Sequence, residues 1–303
     1  MIRILGTIFD GLVGLAFGSF LNVCLSRWPA GESIVKPRSH CRGCDRTLAW
    51  WENVPLLSWL ALRGRCRSCG ASIGWRYLLV ELGVGFLWAF IFWQTANHYA
   101  GVEVVSFSPL GLTEKVVAVC GTMLLAWLLV GLAALDAEHL WLPNFLIYPG
   151  IVLGLAYSIA SLGLLWPFDG DPGSLRIFAG RLGFVLLDRL IAVLVAAGLI
   201  LLIRWTYWLI RRREGIGLGD AKLTAMLAVW LGLPGAMLAF AIGVVLGAAV
   251  GIAMLLVPRL RHSDDTPALT KLPLGTFLCI GGIISSLWGR PILAAYLRWS
   301  GLS

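Results

Sequence analysis

Apolar residues run through this chain in blocks of roughly membrane-spanning length, separated by short and uneven polar stretches. A helix needs about 20 apolar residues to cross a bilayer core. On that ruler the runs Ile4–Ser26, Tyr77–Ala96, Lys115–Leu135, Phe145–Leu165, Phe184–Ile210, Ala221–Leu231, Ala236–Val257 and Leu274–Leu297 predict about eight transmembrane helices. The sixth run is short. At 1.5 Å per residue it covers about 16 Å, roughly half the hydrocarbon thickness. It then meets Gly232-Leu233-Pro234-Gly235, a turn signal. This segment is expected to start or end inside the membrane profile, where irregular backbone is tolerated only against protein or a wet cavity.

Composition turns the pattern into a class. Of 303 residues, 59% are hydrophobic and only 13% charged, where a soluble domain carries about 25% charged. The reading is an all-α polytopic membrane protein in contact with a lipid bilayer. Fifteen Trp suit a chain with two interfaces to line. The first run is too long for a signal-peptide core and lacks a cleavage site, so it reads as a retained helix.

A net charge of +8 would raise nucleic acid as a partner in a soluble domain. Here the cations cluster in loops and read as topology signal, so no nucleic-acid partner is expected. Residues 27–76 carry nine of them: Arg27, Lys36, Arg38, Arg42, Arg46, Arg63, Arg65, Arg67 and Arg76. Shorter basic loops lie at Arg211–Arg213 and at Arg259, Arg261 and Lys271. Helix parity places all three, with the loop after Asp136, on one face. Positive-inside makes that face cytoplasmic and leaves both termini outside, with only Arg3 opposing. Three parts follow: a first helix over 1–26, a polar module over 27–76, and a multi-helix domain over 77–303.

Four of the seven Cys form two knuckles, Cys41-x2-Cys44 and Cys66-x2-Cys69, separated by 21 residues. Two such knuckles can hold one Zn²⁺ tetrahedrally, and four ligands make the site closed and structural. Flanking Arg42, Arg65 and Arg67 favour thiolates. Two disulfides are the competing reading, which a reducing face disfavours. A redox pair would need a thioredoxin-like βαβ context that is absent. A module of this size has little core, and zinc supplies the missing stability. His40 is a spare ligand candidate. Cys24, Cys120 and Cys279 read as buried inert thiols.

Ionisable groups beside membrane spans are functional candidates. Asp136 ends the third span and Asp220 opens the sixth, in Gly217-Leu218-Gly219-Asp220-Ala221-Lys222. By parity both stand at the same boundary. Two carboxyls sharing a site divide into one charged and one protonated, the division an aspartic protease uses. Asp220, at a helix N-terminus, suits the charged base, and Asp136, at a C-terminus, the neutral partner. Gly217 and Gly219 let backbone approach closely. The plainer alternative is a solvated helix end at Asp136 and an N-cap at Asp220. Asp10 and Asn22 are expected to face the bundle interior, and Asp188 and Arg189 to be interfacial.

These residues together resemble the prepilin peptidases, or type IV leader peptidases, over nearly the whole chain. Gly18-Ser19-Phe20-Leu21-Asn22-Val23, the Cys knuckles, Arg76-Tyr77 with Glu81, Asp136 with Leu142-Pro143, Gly217–Asp220 with Lys222, and Pro273-Leu274-Gly275 carry the resemblance. It implies a bifunctional enzyme of the bacterial inner membrane. Such an enzyme cleaves prepilin or pseudopilin precursors after Gly, then N-methylates the new terminus with S-adenosylmethionine. It also implies that Asp136 and Asp220 are catalytic and that Cys41, Cys44, Cys66 and Cys69 hold zinc. Gly217, Gly219 and Lys222 would support substrate. Arg76 and Glu81 are the candidates for cofactor contact, since no glycine-rich cofactor loop is present. The chain departs from the family pattern in Arg42 after the first knuckle Cys, in Asn144 where Asp is frequent, and in Thr276 where Pro is frequent. A transporter with a broken sixth span, or a secretion-machine scaffold with an inactive dyad, are readings of other classes.

Overall fold

The computed structural model describes residues 1–98, 109–164, 172–213, 217–256 and 272–301. The basic loop at Arg259, Arg261 and Lys271 lies outside the described residues. The long helices are α1 (Ile2–Arg27), α3 (Trp75–His98), α4 (Pro109–His139), α5 (Asn144–Leu164), α6 (Pro172–Arg211), α7 (Leu218–Leu256) and α8 (Leu274–Trp299). Between α1 and α3 stand a 3₁₀ turn at Trp50–Asn53 and the short α2 (Leu57–Ala61). Seven helices are long and apolar enough to cross a membrane, and among the described residues there is no strand beyond two isolated bridges. The chain is a multi-pass α-helical membrane protein.

Two of the predicted runs lie in α7, as two helices that meet at a kink. Its 39 residues would be about 58 Å long if straight, far more than a bilayer core requires. The break is at Gly232, with φ 71 and ψ 176, a conformation open to glycine. Pro234 follows in the first turn of the second half, where its missing N–H disrupts nothing. The turn signal thus separates two helices, and the short one before it carries Asp220.

The chain divides into two compact units. The first holds Met1–Ser108 with Thr122–Gly131, and the second holds Pro109–Gly121 with Leu132–Ser303. In the first, small residues let α1 and α3 touch backbone to backbone. A Cβ on Gly14 would stand 3.0 Å from Gly85 Cα, and one on Gly18 would stand 2.8 Å from Glu81 Cα. Trp88 and Trp127 lock the contact by donating their indole N–H groups to Met123 O and Phe17 O, each at 3.1 Å. This close approach brings Asn22 of α1 and Glu81 of α3 to the polar end of the pair. Both are buried. Cys24 is buried as expected, whereas Cys120 is exposed. A span is apolar toward lipid as well as toward protein, so hydropathy does not separate the two.

In the second unit, α8 crosses the later half of α7 at backbone contact, where Gly281 approaches Ala239 O and Gly243 approaches Leu278 Cα. The earlier half of α7 packs on α5. Trp230 donates to Gly150 O at 2.8 Å and lies over Gly154. Ala192, Ala196 and Ile200 of α6 are fully buried. Arg189 of α6 meets the break in α7, where its Nη1 would stand 2.8 Å from a Cβ on Gly232. A guanidinium there complements the carbonyl end of the first half-helix.

Candidate active site and metal centre

Asp136 sits in the last turn of α4, one turn before the chain leaves the helix through Leu140, whose φ is 50 and whose N–H still reaches Asp136 O at 2.9 Å. The following Trp141-Leu142-Pro143 leads into α5. Asp220 is the third residue of α7. It is not the N-cap but the returning half of a capping box, since its Oδ2 accepts the Gly217 N–H at 3.1 Å. Both aspartates are buried, at 5% and 7% exposure, so neither is a solvated helix end.

Leu142 ties the two together. A Cβ on Gly219, beside Asp220, would stand 3.1 Å from Leu142 Cβ. A Cβ on Gly275 would stand 2.9 Å from Leu142 Cδ1 and equally close to Cγ and Oδ2 of Asp136. Glycine is what allows the first turns of α7 and α8 to close around one leucine beside the two carboxyls. The carboxyls lie within electrostatic range of each other, and the buried Cys279 thiol lies within range of both.

Thr276 holds Asp136. Its backbone N–H donates to Asp136 Oδ2 at 2.7 Å, and its hydroxyl is 3.1 Å from both that oxygen and Ala133 O. One hydroxyl proton cannot serve two acceptors at once. It can bond a charged Asp136, or turn to Ala133 O and accept from a protonated Asp136. Sequence reasoning registered Thr276 only as a departure from a frequent Pro. That departure is what supplies the N–H, because proline has none. Lys222 turns to α5, donating to Asn144 Oδ1 at 2.9 Å and standing 5.8 Å from the Tyr148 ring centre. The position where Asp is frequent is thus the partner of Lys222.

The four knuckle thiols belong to the first unit. Cys41, Cys44, Cys66 and Cys69 are unbridged, and their sulfurs all lie within 4.8 Å of one another. Zn–S bonds of about 2.3 Å in a tetrahedron put sulfurs about 3.8 Å apart, and Cys41 Sγ to Cys69 Sγ is 3.7 Å. The donor set therefore fits a tetrahedral zinc ion. The two knuckles are built alike. The N–H of Cys41 bonds Arg46 O and that of Cys66 bonds Ala71 O, and the residue after each second Cys is left-handed, Asp45 at φ 54 and Gly70 at φ 70. The amides of Cys69 and Ser68 draw the Cys66 thiol down to about 6, a thiolate near neutral pH. His40 instead bonds Arg38 O at 3.1 Å through Nδ1.

Glu52, which sequence reasoning passed over, braces this module. It accepts from Arg46 at 2.6 Å and from the Ala49 N–H at 2.7 Å. Those two bonds hold its carboxyl below the usual range. Arg76 and Glu81 also lie in the first unit. Arg76 lies over the Tyr77 ring, and Glu81 Oε2 accepts the Leu56 N–H at 2.8 Å.

Residues 12–95 match the Bacterial Peptidase A24 N-terminal domain, and residues 123–252 match the Type IV leader peptidase family. Proteins named prepilin leader peptidase/N-methyltransferase are similar over most of their length. Those of Stutzerimonas stutzeri and Pseudomonas aeruginosa are each 33% identical, covering 96% of this chain and 93% of the relative. That of Myxococcus xanthus is 36% identical, covering 88% of this chain and 70% of the relative. No solved structure matches. With a motif-bearing aspartate in each half of the second unit and a four-thiol cluster in the first, the chain belongs to the type IV leader peptidase family.

Proposed function

We propose that this chain is an intramembrane aspartic endopeptidase that cuts the basic leader from type IV prepilins or pseudopilins after Gly. It then N-methylates the exposed terminus with S-adenosylmethionine. The observation that carries the first activity is the pair of buried carboxyls, Asp136 and Asp220, within electrostatic range around Leu142. One carboxylate takes a proton from water as the water oxygen bonds to the Gly carbonyl carbon, while the protonated partner donates to the carbonyl oxygen. The tetrahedral carbon then collapses, the C–N bond breaks, and the leaving amine takes a proton from the dyad. Thr276 suits this cycle because it can bond Asp136 in either protonation state.

Zinc, held by Cys41, Cys44, Cys66 and Cys69, would fasten the polar module and leave no open coordination position for chemistry. S-adenosylmethionine supplies an electrophilic methyl. When bound, it would pass that methyl to the freed amine and leave as the neutral thioether. On this reading the enzyme sits in the bacterial inner membrane with the dyad and zinc module toward the cytoplasm, the side that cation-rich loops favour. The transporter reading draws on the same break in α7 and the same two buried aspartates, but it calls for a second broken helix that the sequence does not offer.

The test uses purified protein in nanodiscs, a full-length precursor with a basic leader ending Gly-Phe, and S-adenosylmethionine. Mass spectrometry is expected to find the mature product carrying one added methyl. An intact precursor with several such substrates would overturn the reading.

A further inference from the structure

The knuckles hold much of the polar module between α1 and α3, but α2 is fastened to α3 itself. The N–H of Leu56, at the entry to α2, donates to Glu81 Oε2 at 2.8 Å. Glu81 follows Trp75, the first residue of α3, by six positions, about 9 Å along the helix axis. A helical side chain tilts back toward the N-terminus, so this bond sets the start of α2 beside the first two turns of α3. Trp59 fastens the other side. Its indole N–H donates to Ile73 O at 3.2 Å, and its ring meets that of Trp75 with centroids 4.7 Å apart. The short helix thus lies against the end of a span.

What α2 turns outward is apolar. Leu57 and Leu60, one turn apart, are 66% and 58% exposed, and Ala61 is exposed with them, while Ser58 and Trp59 are half-buried. On α3, Leu79 and Leu82 to either side of Glu81 are exposed as well, and Trp75 stands exposed at the helix start. Leucines on a spanning helix face acyl chains, and indoles favour the headgroup level. The outward face of α2 therefore continues the lipid-facing surface of α3. Exposed Arg63 and Arg65 follow α2 directly. Residues 27–76 carry nine cations against three acids, Glu32, Asp45 and Glu52. Such a surface repels a basic leader and attracts anionic lipid. An apolar face edged by cations is the pattern of a helix lying in the membrane interface, with its apolar side about 5–10 Å into the headgroup boundary.

We propose that α2 is a membrane-interfacial foot of the polar module. Leu57, Leu60 and Ala61 sit at the edge of the acyl chains, and Arg63 and Arg65 take anionic phospholipid headgroups. The partner is the anionic lipid of the bilayer that the spans already cross. The proposal needs only the multi-pass membrane character of the chain and stands apart from the cleavage and methyl-transfer chemistry.

The test uses zinc-loaded full-length protein in phosphatidylcholine nanodiscs doped with a phospholipid that carries a diazirine in one acyl chain. The headgroup of that probe is phosphatidylglycerol in one sample and phosphatidylcholine in the other. After irradiation, adducts are mapped by mass spectrometry. Adducts are expected on Leu57–Ala61 as well as on the α3 peptide that holds the exposed Phe86, with none on the exposed Ser68 of the second knuckle. The anionic probe should label α2 about fivefold more than the neutral one, the effect of roughly 1 kcal/mol from a cation near the surface. Arg63→Gln combined with Arg65→Gln should abolish that excess. Should this variant lose zinc, wild type at raised salt replaces it, since screening removes the same attraction. Adducts on the Phe86 peptide with none on α2 would overturn the proposal, and equal yields from the two probes would overturn its anionic part. Labelling of α2 by a water-soluble carbene reagent, suppressed only when precursor is added, would assign the face to substrate and overturn it as well.

Discussion

Gly275→Ala isolates the position of one carboxyl from its presence. The new Cβ would stand 2.9 Å from Asp136 Cγ and Oδ2, against about 3.4 Å for ordinary contact, so the carboxyl must retreat by about 0.5 Å. The retreat stretches the 2.7 Å Thr276 amide bond and Leu142 Cδ1 must give as well. Alanine in a helix is favoured over glycine by up to about 1 kcal/mol, which offsets part of that strain, so the variant should melt within about 4 °C of wild type. The chemistry is less forgiving. A misplacement of about 1 Å costs roughly a hundredfold, and half of that predicts a loss of about tenfold in kcat. The assay is leader cleavage under saturating precursor, with thermal unfolding measured alongside. Gly198→Ala on α6 is the control, because a Cβ there meets nothing within 4 Å. Wild-type kcat in a stably folded Gly275→Ala protein would refute the claim that Asp136 works from its present position.

Thr276→Val keeps the 2.7 Å amide bond and deletes the hydroxyl; cleavage should fall roughly three- to tenfold, the worth of one neutral hydrogen bond, while Thr276→Ser stays near wild type. Asn144→Asp places a carboxylate 2.9 Å from Lys222 Nζ at an exposed site and should raise the melting temperature by no more than about 4 °C. Glu52 has a folded pKa below its ordinary value of 4.5, so its contribution is complete above that pH and fades as pH falls through the folded value. Between these values the wild-type module should lose protease resistance with a steeper pH dependence than Glu52→Gln. Chelation of zinc should make residues 28–74 protease-sensitive, since metal binding and folding of so small a module are coupled.

Most of the fold was legible because membrane spans announce themselves by length and hydropathy. The places that hydropathy could not reach have physical causes. Gly232 and Pro234 signal a turn, but only the backbone shows that Gly232 alone leaves the helix while Pro234 fits the next first turn. Cys120 and Cys24 occupy equally apolar runs, and a pattern blind to lipid against protein assigns both to the interior. Asp136 and Asp220 were legible as candidates from their neighbours in the chain. Their relation to Leu142 and Thr276 was not, because it joins residues 140 positions apart.

The central claim is that the two aspartates perform the cleavage. Its most direct test is intact-mass analysis of precursor incubated with wild type, Asp136→Asn and Asp220→Asn, each verified to retain zinc. The account predicts mature product from wild type and uncut precursor from both variants. Cleavage after Gly by either zinc-loaded variant at a rate near wild type would contradict it.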